Sequence, residues 1–281
     1  MEIIYEVAKT EYNNISNLTE EQYLDRFRII LEPYIYHYVI EHYMSKLNIF
    51  WENYIPPIKS KYAFVIVERR PHPNFEFILK NIAWAGSYLS VYIFCSDKNI
   101  DFIKAILGEK YSHYNIKPVF SDLGTREQGK TDYNKFLTDA KTYKMVDADY
   151  ILTVQMDTIF RQKISTEIFY GDYWGNPWAW KPNYPGGGGA TVRRIAYMIN
   201  ICDNIINHRA EAEDSWFSER ILETNGVFPP LSFRNEIIME SMPAKDPYIL
   251  HQFWTYLHNY MNLPKEAFIQ YWKHLLTIYI E

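Results

Sequence analysis

The chain alternates between short apolar runs and stretches whose apolar residues recur at helical spacing. The apolar runs are rich in β-branched and aromatic residues, as strands buried on both faces of a parallel sheet are. The predicted strands are residues 62–67, 89–95, 116–120 and 149–154. The predicted helices between them are residues 74–84, 98–107 and 133–145. This alternation predicts an α/β fold: a three-layer α/β/α sandwich around a mostly parallel sheet.

Helical patterns also precede and follow this region. Thr19 opens a capping-box pattern, Pro33 is expected to kink the helix that follows, and Pro56 marks its end. We therefore divide the chain into an N-terminal helical extension, residues 1–57, and an α/β domain with a helical tail, residues 58–281. Further helices in the second part are predicted at residues 191–209, 216–224 and 264–279.

Composition and charge exclude several classes of protein. The 281 residues are 48% hydrophobic with a net charge of -5, which argues against disorder and against a nucleic-acid partner. The sequence has no signal-peptide pattern and no apolar stretch of about 20 residues, so we expect no membrane span. Cys95 and Cys202 form no CxxC pair and indicate a reducing compartment. We expect a cytoplasmic protein; its many Ile, Asn, Tyr and Lys residues are typical of an AT-rich genome, such as that of a virus.

Two acidic segments are candidates for chemistry. Gln155 and Asp157 directly follow a predicted buried strand, where a carboxylate faces the ligand crevice of such sheets. An oxygen ligand there suits Mn²⁺ or Mg²⁺, although Asp after a strand is also a common turn residue. Glu213 and Asp214 open a predicted helix, where an acid is either a general base or a helix cap.

A glycine run and a late histidine are further candidates. Four glycines at residues 186–189 precede Arg193 and Arg194. We interpret them as a loop whose backbone approaches a phosphate or a sugar, or else as a flexible surface loop. Their spacing is neither a dinucleotide fingerprint nor a P-loop. His251 lies among aromatic residues, as a metal ligand or as a hydrogen-bonded core histidine.

The end of the first strand and a tryptophan-rich segment complete the candidates. Glu68 and Arg69 follow the first predicted strand, where a nucleotide base or ribose would lie. The aromatic segment around Trp174, Trp178 and Trp180 either stacks on sugar rings or packs beneath the glycine run.

Over residues 61–256, the order of these pieces resembles a poorly characterised group of glycosyltransferase-like proteins. The group belongs to the GT-A-type nucleotide-diphospho-sugar transferase superfamily. The resemblance is carried, in order, by Glu68-Arg69-Arg70, Gln155-Met156-Asp157-Thr158, Tyr173-Trp174-Gly175-Asn176-Pro177-Trp178, the glycine run, Glu213-Asp214, and His251 with Trp254. It implies a GT-A-like domain for residues 58–281.

The resemblance also implies a role for each matched position. Gln155-Met156-Asp157 stands where these enzymes keep an Asp-x-Asp metal motif, with Gln155 in place of the first acid. His251 stands where a late histidine completes the metal site. Gly187, Gly188 and Gly189 stand where the sugar and diphosphate are approached. Glu213 and Asp214 stand where inverting members keep the base, with Asp214 preferred.

The sequence therefore predicts a glycosyltransferase that uses Mn²⁺ or Mg²⁺. It would move a sugar from a nucleotide diphosphate, with a UDP-sugar favoured, to a hydroxyl of a glycan or protein acceptor, with inversion. Retention of configuration and a catalytically inactive glycan- or nucleotide-binding module stay open. A nucleotidyltransferase is disfavoured, because the segment 68–73 lacks a Gly-rich basic loop.

Overall fold

A computed structural model describes residues 20–121, 126–252 and 276–280, with the single positions 6, 10 and 274. The predicted capping box at Thr19, Trp254, and most of the helix predicted at 264–279 lie outside these residues. No helix in these ranges has the length and apolar character needed to cross a membrane.

The main sheet has six strands in the order β3-β2-β1-β4-β7-β6. They are β1 (Tyr62–Val67), β2 (Ser90–Ser96), β3 (Asn115–Phe120), β4 (Tyr150–Val154), β6 (Tyr173–Asn176) and β7 (Gly187–Arg194). Strands β1 to β4 are parallel to one another, whereas β7 runs antiparallel to both β4 and β6. A second, three-stranded sheet has the order β5-β9-β8, from Thr158–Phe160, Ile249–His251 and Ile238–Met239.

Eight α-helices have both ends within the part of the chain that the structure describes, and residues 276–280 are also helical. The eight are α1 (Glu20–Asn53), α2 (Phe75–Ala85), α3 (Ile100–Leu107), α4 (Arg126–Leu137), α5 (Ala140–Lys144), α6 (Ile195–Asn204), α7 (Glu213–Glu223) and α8 (Leu231–Ile237). Short 3-10 turns occupy Gly108–His113 and Thr166–Ile168.

Burial on both faces of the main sheet produces the three layers. Phe64 and Ile66 of β1 belong to one core, which also includes residues of α1, α2 and α3. Ala63 and Val65 belong to a second core on the opposite face, with residues of α5, α6 and α7. Alternate residues of a strand point to opposite faces, so a strand covered on both sides must be apolar throughout. The α/β fold with a mostly parallel central sheet is therefore confirmed.

Three details differ from the sequence-based expectations. The glycine run was expected as a loop leading into a helix at residue 191, but it begins strand β7, and the helix starts only at Ile195. The single helix expected at 133–145 is two helices, because the Asp139 side chain caps a new helix by accepting a bond from the Lys141 N–H at 2.9 Å. Helix α4 begins at Arg126, before the expected start at residue 133. Pro33 lies inside α1, and the kink expected there stays a prediction.

The strand order reverses at β1, at the edge where open α/β sheets have their ligand crevice. From β1 the chain moves outward through β2 and β3, then returns to place β4 on the other side of β1. Ligands of open α/β sheets bind where the order reverses in this way, beyond the carboxyl ends of the strands. Glu68 follows β1 and Gln155 follows β4, so these two candidate segments flank the reversal.

Helix α2 fixes the position of β5 through one buried side chain. Asn81 donates to the Phe160 carbonyl at 2.9 Å and accepts from the Phe160 N–H at 2.7 Å. We expect Asn81→Leu to lower the free energy of unfolding by about 2–4 kcal/mol, because it leaves two buried backbone groups unpaired. Urea unfolding measures this, with the exposed Asn204→Leu as control. A loss for Asn81→Leu no larger than that of the control would contradict this account.

Candidate active site

Asp157 and His251 meet because two short strands pair next to the main sheet. Asp157 immediately precedes β5, and His251 is the last residue of β9. The antiparallel register sets Thr158 opposite His251, which brings the preceding carboxylate alongside the imidazole. The Asp157 Oδ1 atom lies 3.1 Å from His251 Nε2. Two residues that are far apart in sequence thus share one point near the end of β4.

The other ring nitrogen of His251 faces a second carboxylate. Strand β8 pairs in parallel with β9, so Glu240, which follows β8, reaches the same ring. Its Oε1 atom lies 2.7 Å from Nδ1, and its Oε2 atom accepts a bond from the Asn176 side chain. The Gly189 N–H is also near Nδ1, at 3.3 Å, but the shorter contact assigns the Nδ1 proton to the bond with Glu240. This arrangement directs Nε2 towards Asp157.

Burial and neighbouring charges act in opposite directions on the pKa values of His251, Asp157 and Glu240. Burial lowers the pKa of His251, but the charge of Asp157 and the bonds to Asp157 and Glu240 outweigh it and raise the pKa to about 10. Burial also raises the pKa of Asp157, yet the His251 charge and bonds from His251 and Gln252 lower it overall. Burial keeps the pKa of Glu240 above its usual value. A positive charge between Asp157 and Glu240 is therefore favoured.

The Asp157–His251 pair fits a divalent cation. Asp157 Oδ1 and His251 Nε2 are buried and form an ion pair with each other, and within the described part of the chain neither atom makes another polar contact. Their 3.1 Å separation is close to that of two neighbouring ligands of an octahedral ion, about 3 Å. The Glu240–His251 contact matches the carboxylate that commonly orients a metal-binding histidine.

Within the described residues, Asp157 and His251 are the two candidate protein ligands for such a cation. Within the described ranges, no group of three or more His, Cys, Asp or Glu side chains is arranged to hold a metal ion. Mg²⁺ is commonly held in this way, by one or two protein ligands with water and substrate phosphates completing the shell. Metal binding by Asp157 and His251 therefore stays a prediction.

The glycine run makes room for the side chains of the site. A Cβ atom on Gly187 would lie 2.3 Å from the Asp214 Cβ, and one on Gly189 would lie 2.0 Å from the His251 Cδ2. Gly188 has φ +90 and packs against Asn176. Because these glycines have no side chain, Asp214, Asn176 and His251 can pack against them. A close contact of their backbone with the sugar or diphosphate stays a prediction.

Asp214 and Glu213 occupy different environments. The Glu213 carboxylate is buried and accepts a bond from Arg193 Nη2 at 2.8 Å, while Arg193 also bonds Tyr143 at 2.9 Å. Burial raises the pKa of Glu213 to about 7 despite Arg193. Asp214 is partly exposed beside Gly187, and its Oδ1 atom accepts a bond from the Ser215 N–H at 2.7 Å. Asp214 is thus the member of the pair that borders the site.

The segment after β1 contains three charged residues, Glu68, Arg69 and Arg70. Glu68 accepts bonds from the Arg70 backbone and guanidinium at 2.9 and 3.0 Å. The buried Arg69 pairs with Asp132 at 2.6 Å and lies over the Phe120 ring, 5.1 Å from its centroid. Both Glu68 and Arg69 are largely buried, so neither side chain is widely exposed to the crevice.

Two further side chains in this region, His72 and Gln155, are held by hydrogen bonds. His72 accepts a bond from the Asn74 N–H at 3.1 Å, and burial lowers its pKa although Glu68 and Asp157 are near. Gln155 donates to the Tyr133 hydroxyl at 3.1 Å, so this amide is held in place.

Sequence reasoning missed Glu240, Asn176, Tyr133 and His72. Glu240 follows the two-residue strand β8, and no pattern in the neighbouring sequence marks it as a site residue. His72 had a usable signal, because it stands just beyond a strand that was predicted correctly, at the edge where ligands bind.

Comparisons with known proteins give limited information. The profile of a family described as "Protein of unknown function (DUF5672)" matches residues 119–248, less than half of the chain, which includes Asp157 and Asp214 but stops before His251. No curated protein is significantly similar in sequence. The apo crystal structure of mouse xyloside xylosyltransferase 1 is similar at 10% identity, with a TM-score of 0.44, over 69% of this chain and 98% of that chain. At this level the likeness assigns neither a donor nor a reaction to the chain.

A substitution at Gly189 tests whether the His251 imidazole needs the space that a missing side chain leaves there. In Gly189→Ala, the new methyl group would lie 2.0–2.2 Å from His251 ring atoms, so the ring must move. We expect a loss of about 1–3 kcal/mol in urea unfolding, as for other overpacked sites. Gly129→Ala is the control, because the nearest atom to its new methyl group is 4.0 Å away and the helix favours alanine. Equal stability of the two variants would contradict this role.

Proposed function

We propose that this protein is a metal-dependent glycosyltransferase that takes its sugar from a nucleotide diphosphate. The observation that carries the proposal is the Asp157–His251 pair beside the strand-order reversal, whose facing atoms are 3.1 Å apart and make no other polar contact within the described part of the chain. The resemblance in the order of segments is independent support. A UDP-sugar is the favoured donor.

Asp157 and His251 would hold Mn²⁺ or Mg²⁺ at this point. When bound, the cation offsets the negative charge that grows on the departing diphosphate. Glu240 keeps the imidazole Nε2 directed towards Asp157, and Gln252 fixes the second oxygen of Asp157 through a hydrogen bond. These contacts set the geometry of the pair before the donor binds.

Asp214 is the proposed base. It borders the site next to Gly187, on the same strand as Gly189, which packs against His251. A strand rises about 3.3 Å per residue, so the two glycines are about 7 Å apart. Asp214 would take the proton of the acceptor hydroxyl as its oxygen attacks the anomeric carbon, which inverts the configuration.

Glu213 has a supporting role in this proposal. Its buried ion pair with Arg193 fixes the first turn of α7 and thereby the position of Asp214. Retention would need no separate base, and Asp214 would then only position the acceptor. NMR of the product distinguishes inversion from retention.

At the other side of the crevice, the segment after β1 would contact the nucleoside. Glu68 and Arg69 are held by Arg70 and Asp132, so we propose that they shape this end of the crevice. His72, only partly buried and close to Asp157, is better placed than either to contact the diphosphate or ribose.

A catalytically inactive binding module is the second candidate function. The observation that favours it is the small number of protein ligands, since Gln155 replaces one acid of the expected metal motif. Calorimetry with UDP discriminates between the two. Binding that requires Mn²⁺ supports the transferase, whereas binding of glycans without nucleotide or metal supports the module.

Substitution of the two acids separates binding from chemistry. We expect Asp157→Ala to abolish Mn²⁺-dependent UDP binding in calorimetry. Asp214→Asn should keep that binding but lose at least ~100-fold in donor turnover, as the loss of a positioned base usually does. Glu219→Gln, on the same helix as Asp214 and partly exposed like it, is the control. Turnover within a few-fold of wild type in both variants would refute the proposed mechanism.

Glu240 should raise the affinity for the metal ion although it is not itself a proposed ligand. We expect Glu240→Gln to weaken Mn²⁺ affinity in the presence of UDP by about 10–100-fold, because the imidazole loses its charged partner. Calorimetric titration measures this, and urea unfolding shows whether the fold is kept. A folded Glu240→Gln protein with wild-type Mn²⁺ affinity would be inconsistent with this role.

A further inference from the structure

The helix that carries Asp214 lacks a capping side chain of its own. Ala212 stands at the N-cap position of α7, and it makes no side-chain capping bond. The first N–H groups of a helix have no partner within the helix, and Ser, Thr, Asp or Asn at the N-cap commonly accepts a bond from one of them. Alanine has no acceptor atom in its side chain. The first N–H groups of α7 must therefore bond to another part of the chain or to water.

Asn134 of helix α4 supplies an acceptor for one of these groups. Its Oδ1 atom accepts a bond from the Glu213 N–H at 3.3 Å, and its Nδ2 atom donates to the Ala210 carbonyl at 3.2 Å. Since a backbone N–H can only donate and a carbonyl can only accept, the two partners fix the orientation of the amide. One side chain thus joins the first residue of α7 to the turn before it.

The turn that Asn134 contacts has a strained backbone. Ala210 has φ +50, in the left-handed region that residues with a Cβ atom rarely adopt. A second amide holds the same turn, because Asn207 accepts from the Glu211 N–H at 3.0 Å and donates to the Glu211 carbonyl at 3.1 Å. Strained backbone persists where surrounding contacts hold it, and it is concentrated at functional sites.

Helix α4 is itself attached to the other parts of the candidate site. Asp132 pairs with Arg69, after β1, at 2.6 Å, and the Tyr133 hydroxyl bonds to Gln155, after β4, at 3.1 Å. Successive side chains of a helix point about 100° apart, so neighbouring residues can reach different segments. Three consecutive residues, ending with Asn134, therefore connect the segments that follow β1 and β4 with the start of α7.

The position of Asp214 follows from that of the first turn of α7. Its Oδ1 atom accepts from the Ser215 N–H at 2.7 Å, within the same turn. The ion pair with Arg193 holds the side chain of Glu213, whereas the bond to Asn134 holds its backbone. These two contacts together fix the residue that directly precedes Asp214.

We propose that Asn134 is a positioning residue for the base: it caps α7 from helix α4 and thereby fixes Asp214 relative to the Asp157–His251 pair. This inference rests on the proposed function and adds to it a residue that contacts neither the donor nor the metal ion. Asn134 acts on the proton-transfer step through Asp214 and leaves the binding of the nucleotide to other residues.

Asn134→Ala separates turnover from binding. We expect donor turnover to fall ~10-fold or more, because a small displacement of a catalytic group is costly. Mn²⁺-dependent UDP binding in calorimetry should match that of the wild type. The control, Lys135→Ala, removes an exposed side chain from the same helix and should change neither. Turnover within a few-fold of the wild-type value, or a parallel loss of UDP binding, would overturn the proposal.

The double variant Asn134→Ala, Ala212→Ser separates positioning from helix stability. Serine at the N-cap gives α7 a cap of its own, so the free energy of unfolding in urea should rise above that of Asn134→Ala. Turnover should stay low, because the bond to α4 is still missing. Recovery of turnover together with stability would show that Asn134 only stabilises the helix.

Hydrogen exchange tests the capping bond without reference to activity. In Asn134→Ala the Glu213 amide should exchange ~5-fold faster than in the wild type, as the loss of one hydrogen bond allows. The Ile221 amide, near the end of α7, should keep its rate. An unchanged rate at Glu213 would refute the cap. A wild-type protein without metal-dependent UDP binding would refute the proposed function, and with it the role of Asn134 in turnover, whatever the exchange rates.

Discussion

The candidate site depends on the pairing of two three-residue strands. Because Thr158 pairs with His251, a carboxylate at the end of the main sheet contacts an imidazole that is distant in the sequence. The parallel pairing of β8 with β9 then adds Glu240 to the same ring. This small sheet has few backbone contacts, but together they bring three ionisable groups to one point.

Burying these groups is costly unless each charge has a partner. An ion removed from water loses several kcal/mol of solvation, which only close and well-directed contacts offset. The structure supplies such contacts on nearly every side: Glu240 and Asp157 on His251, Gln252 on Asp157, and Asn176 on Glu240. Asp157 Oδ1 and His251 Nε2 contact each other at 3.1 Å and make no other polar contact within the described part of the chain. A group held in this way at a sheet edge is better explained by ligand binding than by stability.

The main sheet was predictable because its strands are buried on both faces. Each of β1, β2 and β4 is a continuous apolar run, and this pattern has few other structural explanations. The glycine run was misread because glycine has a low preference for strands. Its strand forms through pairing with both β4 and β6, as in Val154 opposite Ala190 and Asn176 opposite Gly187. The break between α4 and α5 had a local signal in the Asp139 cap, which the helical spacing obscured.

The candidate site was predictable in part. Asp157 and His251 were identified by position and by resemblance, but their proximity depends on strand register in a second sheet, which no local pattern encodes. Glu240 was missed for the same reason. Asp214 could be preferred to Glu213 from the sequence only by resemblance, whereas the structure separates them by burial and by the Arg193 ion pair.

Electron spin-echo spectroscopy of Mn²⁺ bound together with UDP tests the central claim most directly, because it detects nitrogen ligands of the ion. The account predicts ¹⁴N coupling from one imidazole in the wild-type protein and its loss in His251→Gln. An ion that shows no nitrogen coupling in the wild-type protein, or the same coupling in His251→Gln, would contradict a cation shared by Asp157 and His251.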